Sequence, residues 1–212
     1  MQTLIIGSSG GIGAALLARG GVGLSRSRDG FDITSEVSVA HHLGALDGPF
    51  DRIIVATGAL EIDGARPEKS LKSLDSAAML AQFSLNAIGP ALVLKHALRL
   101  MPRDRKTQFA VLSARVGSIG DNALGGWYGY RAAKAALNQL IHTSSIEVAR
   151  SHPLAILSLI HPGTVATPLT LGHSAGHPTV APEVAADNIL RVLDGVTQTG
   201  RFWDWQGIEI PW

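Results

Sequence analysis

Two residues four apart, Tyr130 and Lys134, have the chemistry of a proton-transfer pair. A phenol is a poor acid near neutral pH, its unperturbed pKa being about 10. A fixed ammonium beside it favours the phenolate and lowers that value. The pair lies in an Ala-rich run that includes Ala132, Ala133, Ala135, Ala136 and Leu137, and Ala and Leu are strong helix formers. On a helix, residues four apart share one face, one turn above the other. Tyr130 could then exchange a proton with a substrate oxygen. Tyr128 has no such partner, since Ala132 stands four residues on. A packed Tyr and a solvated Lys give the same spacing, so the other motifs must separate the two readings.

A second set of residues has the chemistry of phosphate binding. The apolar run Thr3 to Ile6 leads into GSSGGIG, Gly7 to Gly13, and Ala14 to Ala18 reads as a helix. A strand, a Gly-rich turn and a helix in direct succession turn backbone N–H groups toward an anion such as a pyrophosphate. The glycines Gly7, Gly11 and Gly13 would allow the tight turn and the close approach, with Ser8, Ser9 and Ile12 between them. The spacing is not GxGxxG. Val22 to Ser25 reads as a second short strand, and Arg26 follows it at once. At this place an acid would bind a ribose 2′-hydroxyl, and an Arg suits a 2′-phosphate through bidentate guanidinium bonds. Arg26 therefore favours NADP. Asp32, 19 residues after Gly13, is the competing ribose binder, which keeps NAD open.

Strands and helices alternate around these groups in chain order. Phe31 to Ile33 is expected as a short third strand, and Ser35 as the cap of a helix to about Leu46. Asp51 to Thr57 is apolar at its centre, as in a strand buried on both faces. It ends at Gly58-Ala59, at a strand's carboxyl end, where open α/β sheets bind ligands. Residues 60 to 75 read as a polar loop. Ser76 to Leu100 is a long apolar helix broken by Asn86, Gly89 and Pro90. A proline removes the hydrogen bond to the carbonyl four residues back, so the Asn86 carbonyl, and with it the side-chain amide, is expected to be free for a water. Phe109 to Ser113 is a further strand, the Tyr-bearing helix runs to about Ser151, and Leu154 to Ile160 is another buried strand. The turn at Pro162-Gly163 follows, then a loop over 169–181, a helix from Pro182 to about Leu193, and a last strand from Arg201 to Trp205. Strands alternate with helices, with no internal repeat and no linker. That pattern predicts an α/β fold: one domain over 1–212, a doubly wound parallel sheet with helices on both faces.

The totals exclude several classes. The 212 residues are 46% hydrophobic and 17% charged, with net charge +1, so disorder and a nucleic-acid-binding basic field are both ruled out. Without cysteine there are no disulfides and no thiol nucleophiles. No apolar run is expected to span a membrane and no signal peptide is expected, which makes a cytoplasmic protein without membrane or nucleic-acid partners the default. The eight His residues show no metal-ligand spacing, and His161, His173 and His177 are expected near the cleft.

Taken jointly, these motifs resemble the short-chain dehydrogenase/reductase family over nearly the whole chain. Gly7, Gly11 and Gly13 match its glycine motif, and Asp32-Ile33 is similar to its adenine-contacting pair. Ala56-Thr57-Gly58-Ala59 stands where the family has an Asn-Ala-Gly motif. Asn86 and Tyr130/Lys134 match its Asn and YxxxK positions, and Pro162, Gly163, Val165 and Thr167 its nicotinamide-side motif. The stretch from Gly117 to Asn138 and the FWDWQG…PW ending look like the branch of C-factor and sniffer-type carbonyl reductases. The resemblance implies a Rossmann-like fold and an NADP(H)-dependent reduction of a small aldehyde or ketone, or oxidation of the matching alcohol. It implies Tyr130 as general acid, Lys134 lowering its pKa and holding the nicotinamide ribose, and Asn86 anchoring a relay water. It also implies a homodimer or homotetramer packed through the Asn- and Tyr-bearing helices. Three departures stand out. Counting back from Gly117 puts Ala114 at the family's Ser, leaving the adjacent Ser113 as the candidate to orient the carbonyl. Gly10 stands where NADP-preferring members have a basic residue. The helix after the glycine motif and the segment after Thr167 are short, which implies an open site. With Ala114, that segment motivates an alternative, a dinucleotide-binding signalling protein with little turnover.

Overall fold

The apolar runs expected as strands lie side by side in a computed structural model that describes residues 1–170 and 178–212. They are β1 (Thr3–Ile6), β2 (Val22–Leu24), β3 (Arg52–Val55), β4 (Thr107–Leu112), β5 (Ala155–His161) and β6 (Arg201–Asp204). All pairs are parallel, in the order β2-β1-β3-β4-β5-β6. A parallel sheet needs both faces covered, and the alternation along each strand shows how. Leu4, Ile6, Ile53, Val55, Phe109 and Val111 point to one face, and Ile5, Ile54, Ala110 and Leu112 to the other. The second face is covered by α1 (Gly11–Leu17) and α7 (Pro182–Gly195), through Ala15, Leu16, Ile189 and Val192. The first is covered by α3 (Glu36–Gly44), α5 (Gly89–Ala97) and α6 (Tyr128–Val148), through Val39, Leu43, Val93, Leu94, Leu137 and Ile141. A four-residue helix, α2 (Arg26–Asp29), follows β2, and α4 (Ser76–Phe83) packs on α6.

The register fixes where a ligand can sit. Ile6 pairs with Leu24 and Val55, Val55 with Val111, and Leu112 with Ile160. The carboxyl ends of β1 to β5 therefore finish along one edge of the sheet.

Three expectations are corrected. Phe31 to Ile33 forms no strand. The Asp32 carboxylate accepts from Thr34 N (2.9 Å) and Thr34 Oγ1 (2.7 Å), and Asp32 N donates to Ser38 Oγ (2.9 Å). These local bonds close a turn and compete with a ladder, while Phe31 and Ile33 still bury their side chains in the core. Second, the break at Asn86 is more than a proline kink. Between α4 and α5 the chain makes one wide π-turn, Ser84–Ile88, in which Gly89 N–H donates to the Ser84 carbonyl. Third, Ser76–Leu100 is long and apolar enough by length and composition to span a membrane. Val93, Leu94 and Ala97 of this stretch pack into the core, while Leu80 and Ile88 are exposed and 39% of its most apolar window is buried.

Candidate active site

The loops after β1, β3, β4 and β5 and the start of α6 enclose a cleft of about 460 Å³. Ile12, Thr57, Gly58, Ser113, Ala114, Tyr130, Lys134, Pro162, Gly163, Val165 and Thr167 line it. The structure thus brings the glycine-loop helix, the proton-transfer pair and the Pro162 turn to one place.

Lys134 is 3% exposed, and its Nζ donates to the Leu112 carbonyl at 3.0 Å. The ammonium lies 5.8 Å from the centroid of the Tyr130 ring. Burial pulls its pKa down to about 8. Gly117 lets the loop after β4 lie directly on α6, because a Cβ there would sit 2.7 Å from Lys134 Cβ. Tyr130 corrects the expectation drawn from its spacing. Burial raises the phenol above its ordinary value, and Lys134 does not lower it in this state. The phenol therefore rests protonated, the form that donates a proton to a carbonyl oxygen.

Asn86 is fully buried and its amide is committed, contrary to the expectation of a free group. Nδ2 donates to Ala59 O (2.9 Å) and Gln82 Oε1 (2.7 Å), and Oδ1 accepts from Ala59 N (3.3 Å). The amide clamps the loop after β3. A Cβ on Gly58 would lie 3.1 Å from Asn86 Oδ1 and 3.6 Å from Lys134 Nζ, so these two side chains meet across a glycine. Ser113 is 4% exposed, and its hydroxyl donates to Asn138 Oδ1 at 2.7 Å. Its proton is directed away from a substrate oxygen, which corrects the role expected of it, and Ala114 supplies no hydroxyl.

The glycine loop is built for close approach. Gly7 has φ +86°, and a Cβ on Gly13 would lie 2.1 Å from the Gly7 carbonyl. A Cβ on Gly11 would strike Thr167 Cγ2 at 2.7 Å. Gly10 caps α1 without a side chain, so no cap bonds the N–H groups of Gly11, Ile12 and Gly13. Ser9 is exposed, whereas Ser8 is 1% exposed, with its hydroxyl turned inward against Gly23 and unpartnered. Thr57 Oγ1 is likewise buried without a partner. Arg26 is exposed at the start of α2, next to the loop, since Gly7 N and Ser8 N both donate to Leu24 O. Ser25 is buried and bonded to Asp29 through its backbone N (2.7 Å) and hydroxyl (3.2 Å). The Asp32 carboxyl is held below its ordinary value by Thr34 first, with Arg26 adding to it. Ala56 lines the cleft, and Ile33 lies under Gly89. Val165 is buried and bridged to Val180. His173 and His177 lie outside the described residues, as does most of the short segment after Thr167.

Several residues were not legible beforehand. Glu68, in the polar loop, is buried and accepts from Gly129 N at the start of α6. Trp127 adopts a left-handed conformation (φ +53°) after Gly125 and Gly126 (both φ +67°), and its ring meets Tyr130 edge-on at 6.4 Å. The paired glycines were the available signal. His161, by contrast, lines the cleft as its position in the sequence implied, with Nδ1 buried and unpartnered, and burial draws its pKa to about 4. Ser118 Oγ donates to Pro211 O (2.6 Å) and Gly120 N to Trp212 O (2.8 Å), tying the loop after β4 to the final residues. Among the described residues no cluster of three His, Asp or Glu could hold a metal.

The family model for short chain dehydrogenases matches residues 30–176. The chain is 35% identical over 167 residues to C-signal of Myxococcus xanthus, covering 78% of this chain and 94% of that one. It is 30% identical over 188 residues to 1-hydroxy-2-glutathionyl-2-methyl-3-butene dehydrogenase of Rhodococcus sp. strain AD45, covering 86% of this chain and 79% of the relative. Among solved structures, an NADPH-bound carbonyl reductase from chicken fatty liver superposes with a TM-score of 0.80 at 21% identity, over 100% and 98% of the two chains. At that identity the likeness speaks for the fold.

Proposed function

This chain belongs to the short-chain dehydrogenase family, and from that premise we propose that it is an NADP(H)-dependent reductase of aldehyde or ketone carbonyls, with Tyr130 as the proton donor. The observation that carries this reading is that Tyr130 and Lys134 line one cleft together, with Lys134 meeting Asn86 across Gly58. The residues present fit a dinucleotide. The uncapped N–H groups of Gly11 to Gly13 would take its pyrophosphate, and the Thr57 methyl packs on the same loop at Gly7. Arg26, exposed and, among the described residues, bonded to no carboxylate, would take a 2′-phosphate, which supports NADP over NAD; the chicken enzyme of the same fold holds NADPH. When bound, the cofactor supplies a hydride to the carbonyl carbon. Tyr130 gives its phenolic proton to the carbonyl oxygen, completing the alcohol. The nearby Lys134 ammonium stabilises the phenolate left behind, and the Leu112 carbonyl holds that ammonium in place. Asn86 fixes the wall of the cleft through Ala59.

Tyr130→Phe tests the assignment. We expect carbonyl reduction to fall at least about 100-fold with NADPH affinity retained; turnover equal to wild type would remove Tyr130 from the reaction.

A second reading has its own observation. With Ala114 in the cleft and the Ser113 proton on Asn138, no serine hydroxyl among the described residues that line the cleft is available to polarise a carbonyl beside Tyr130. A dinucleotide-binding signalling protein with little turnover fits this, as does the likeness to C-signal. It predicts NADPH binding without reduction of any carbonyl tested, and sustained turnover of one would sink it. Either reading is compatible with a homodimer or homotetramer formed through the exposed Leu80, Ile88 and Ile146 of α4, the π-turn and α6.

A further inference from the structure

The cleft has an uneven charge. Its lining includes Arg115, Arg131 and Lys134, and among the described residues that line it there is no Asp or Glu. The segment 171–177 reads LGHSAGH, so it supplies no carboxylate either. Two of the three cations are accounted for. Arg115 Nε is bonded to Asp121 at 2.6 Å, and Lys134 is tied to the Leu112 carbonyl behind Tyr130. Arg131 is different. It is half-buried, and no ion pair to a carboxylate is found for it among the described residues. Its Nε donates to Gly126 O (2.9 Å) and its Nη1 to Val116 O (3.3 Å). A guanidinium has five N–H donors, so these two bonds leave three, including both on Nη2.

A desolvated cation without a counter-charge is unfavourable, and the direction of its titration agrees, since burial disfavours the charged form of Arg131. The two carbonyls hold the guanidinium rigidly, so little side-chain freedom remains to be lost when a ligand arrives. Arg131 and Tyr130 both line the cleft, so its charge and the proton donor face the same space. The buried Glu68 carboxylate at the start of α6 is bonded to Gly129 N and does not line the cleft. Leu60, Val116, Leu124 and Trp127 add apolar surface to the same cleft.

We propose that Arg131 binds an anionic group of the substrate, and that the substrates are carbonyl compounds bearing a carboxylate close to the carbonyl. A carboxylate is planar and matches a guanidinium edge with two parallel bonds. It is also compact, which suits a cleft of about 460 Å³. The proposal rests on the reductase reading but is separable from it, because binding is measured without turnover.

The probes are phenylglyoxylate and its methyl ester, which share the ring and the ketone and differ in charge. Each is titrated into the protein with and without NADP⁺, an oxidised cofactor that cannot reduce them, and binding is followed by tryptophan quenching. The wild type should bind the keto acid at least about tenfold more tightly than the ester. Arg131→Gln should weaken keto-acid binding about tenfold or more and leave ester binding within about twofold, with partial recovery in Arg131→Lys. Equal binding of the two probes by the wild type overturns the proposal. So does equal weakening of both in Arg131→Gln, which would make Arg131 a clamp of the Val116 and Gly126 loops only. NADPH is then added: charge-selective binding without reduction would leave the anion site standing and remove the reductase reading.

Discussion

Asn86→Ala tests whether the clamp on the loop after β3 holds as described. The side chain is fully buried, and truncation deletes three hydrogen bonds at once. It strands the Ala59 carbonyl, the Ala59 N–H and Gln82 Oε1, and Gln82 is itself only 7% exposed. A typical bond contributes about 1 kcal/mol net, and a buried group left unsatisfied costs about 1–3 kcal/mol. Ala59 is partly buried and regains some water, so the sum is about 3 kcal/mol rather than the upper bound. Against a total stability of about 5–15 kcal/mol that is a large loss. Urea denaturation measures it as a lower midpoint at unchanged slope. Asn86→Asp is the sharper control. It keeps the shape and the acceptor for Ala59 N but turns a carboxylate oxygen onto the Ala59 carbonyl and Gln82 Oε1. At neutral pH it should be at least as destabilising as alanine. A loss below about 1 kcal/mol for Asn86→Ala, or an aspartate variant as stable as wild type, would refute the clamp.

Other outcomes follow from the same geometry. Arg26→Ala should weaken NADPH about tenfold more than NADH, as for a lost charge-assisted bond; equal weakening in direct titrations would take the phosphate away from Arg26. Gly11→Ala should cost about 1–3 kcal/mol through its clash with Thr167 Cγ2, and Thr167→Ser, which removes that methyl, should restore most of it in thermal melts. Gly13→Ala meets the Gly7 carbonyl instead and should not be rescued; additive effects of Gly11→Ala and Thr167→Ser would count against the contact. Lys134, ordinarily near 10.5, is drawn to about 8 when folded. The unfolded chain therefore holds more protons between those values, so stability rises with pH across that window. From about pH 7.5 to 9.5 the wild type should gain about 2 kcal/mol relative to Lys134→Met in urea titrations, and parallel pH profiles for the two proteins would contradict a buried lysine.

Much of this was legible because the signals were local and periodic. Ile53 to Val55 and Leu157 to Ile160 could only be buried strands, and Ser35 caps its helix as its position implied. Tyr130 and Lys134 share a helix face as their spacing required, and the carboxyl-end loops converge as a parallel sheet dictates. What was missed depends on contacts distant in sequence. Phe31 to Ile33 has strand composition, but Asp32 bonds to Thr34 and Ser38 before a ladder can form. The lowering of the Tyr130 pKa by Lys134 assumed charge proximity and left out desolvation, which is the larger effect here. Ser113 rests on the family resemblance, as the serine beside Ala114, and its bond to Asn138, 25 residues on, depends on how α6 packs. Glu68 gave no signal, because its partner at Gly129 is 61 residues away.

The π-turn at Ser84–Ile88 makes chain length itself a carrier of information. Regular helix advances about 100° per residue, and a π-turn contains one residue more than an α-turn would. That extra residue sets the phase of everything after it. With the wide turn in place, Gly89 faces the Ile33 carbonyl, where a Cβ would sit at 2.8 Å, while Asn86 faces Ala59. Deleting one residue between Ser84 and Ile88 would restore an unbroken α-helix, yet it would rotate α5 by about a quarter turn against α4 and bring a side chain to the position that only a glycine fits. Here the locally more regular backbone gives the worse protein, and a one-residue deletion does harm that no single substitution in the same turn reproduces.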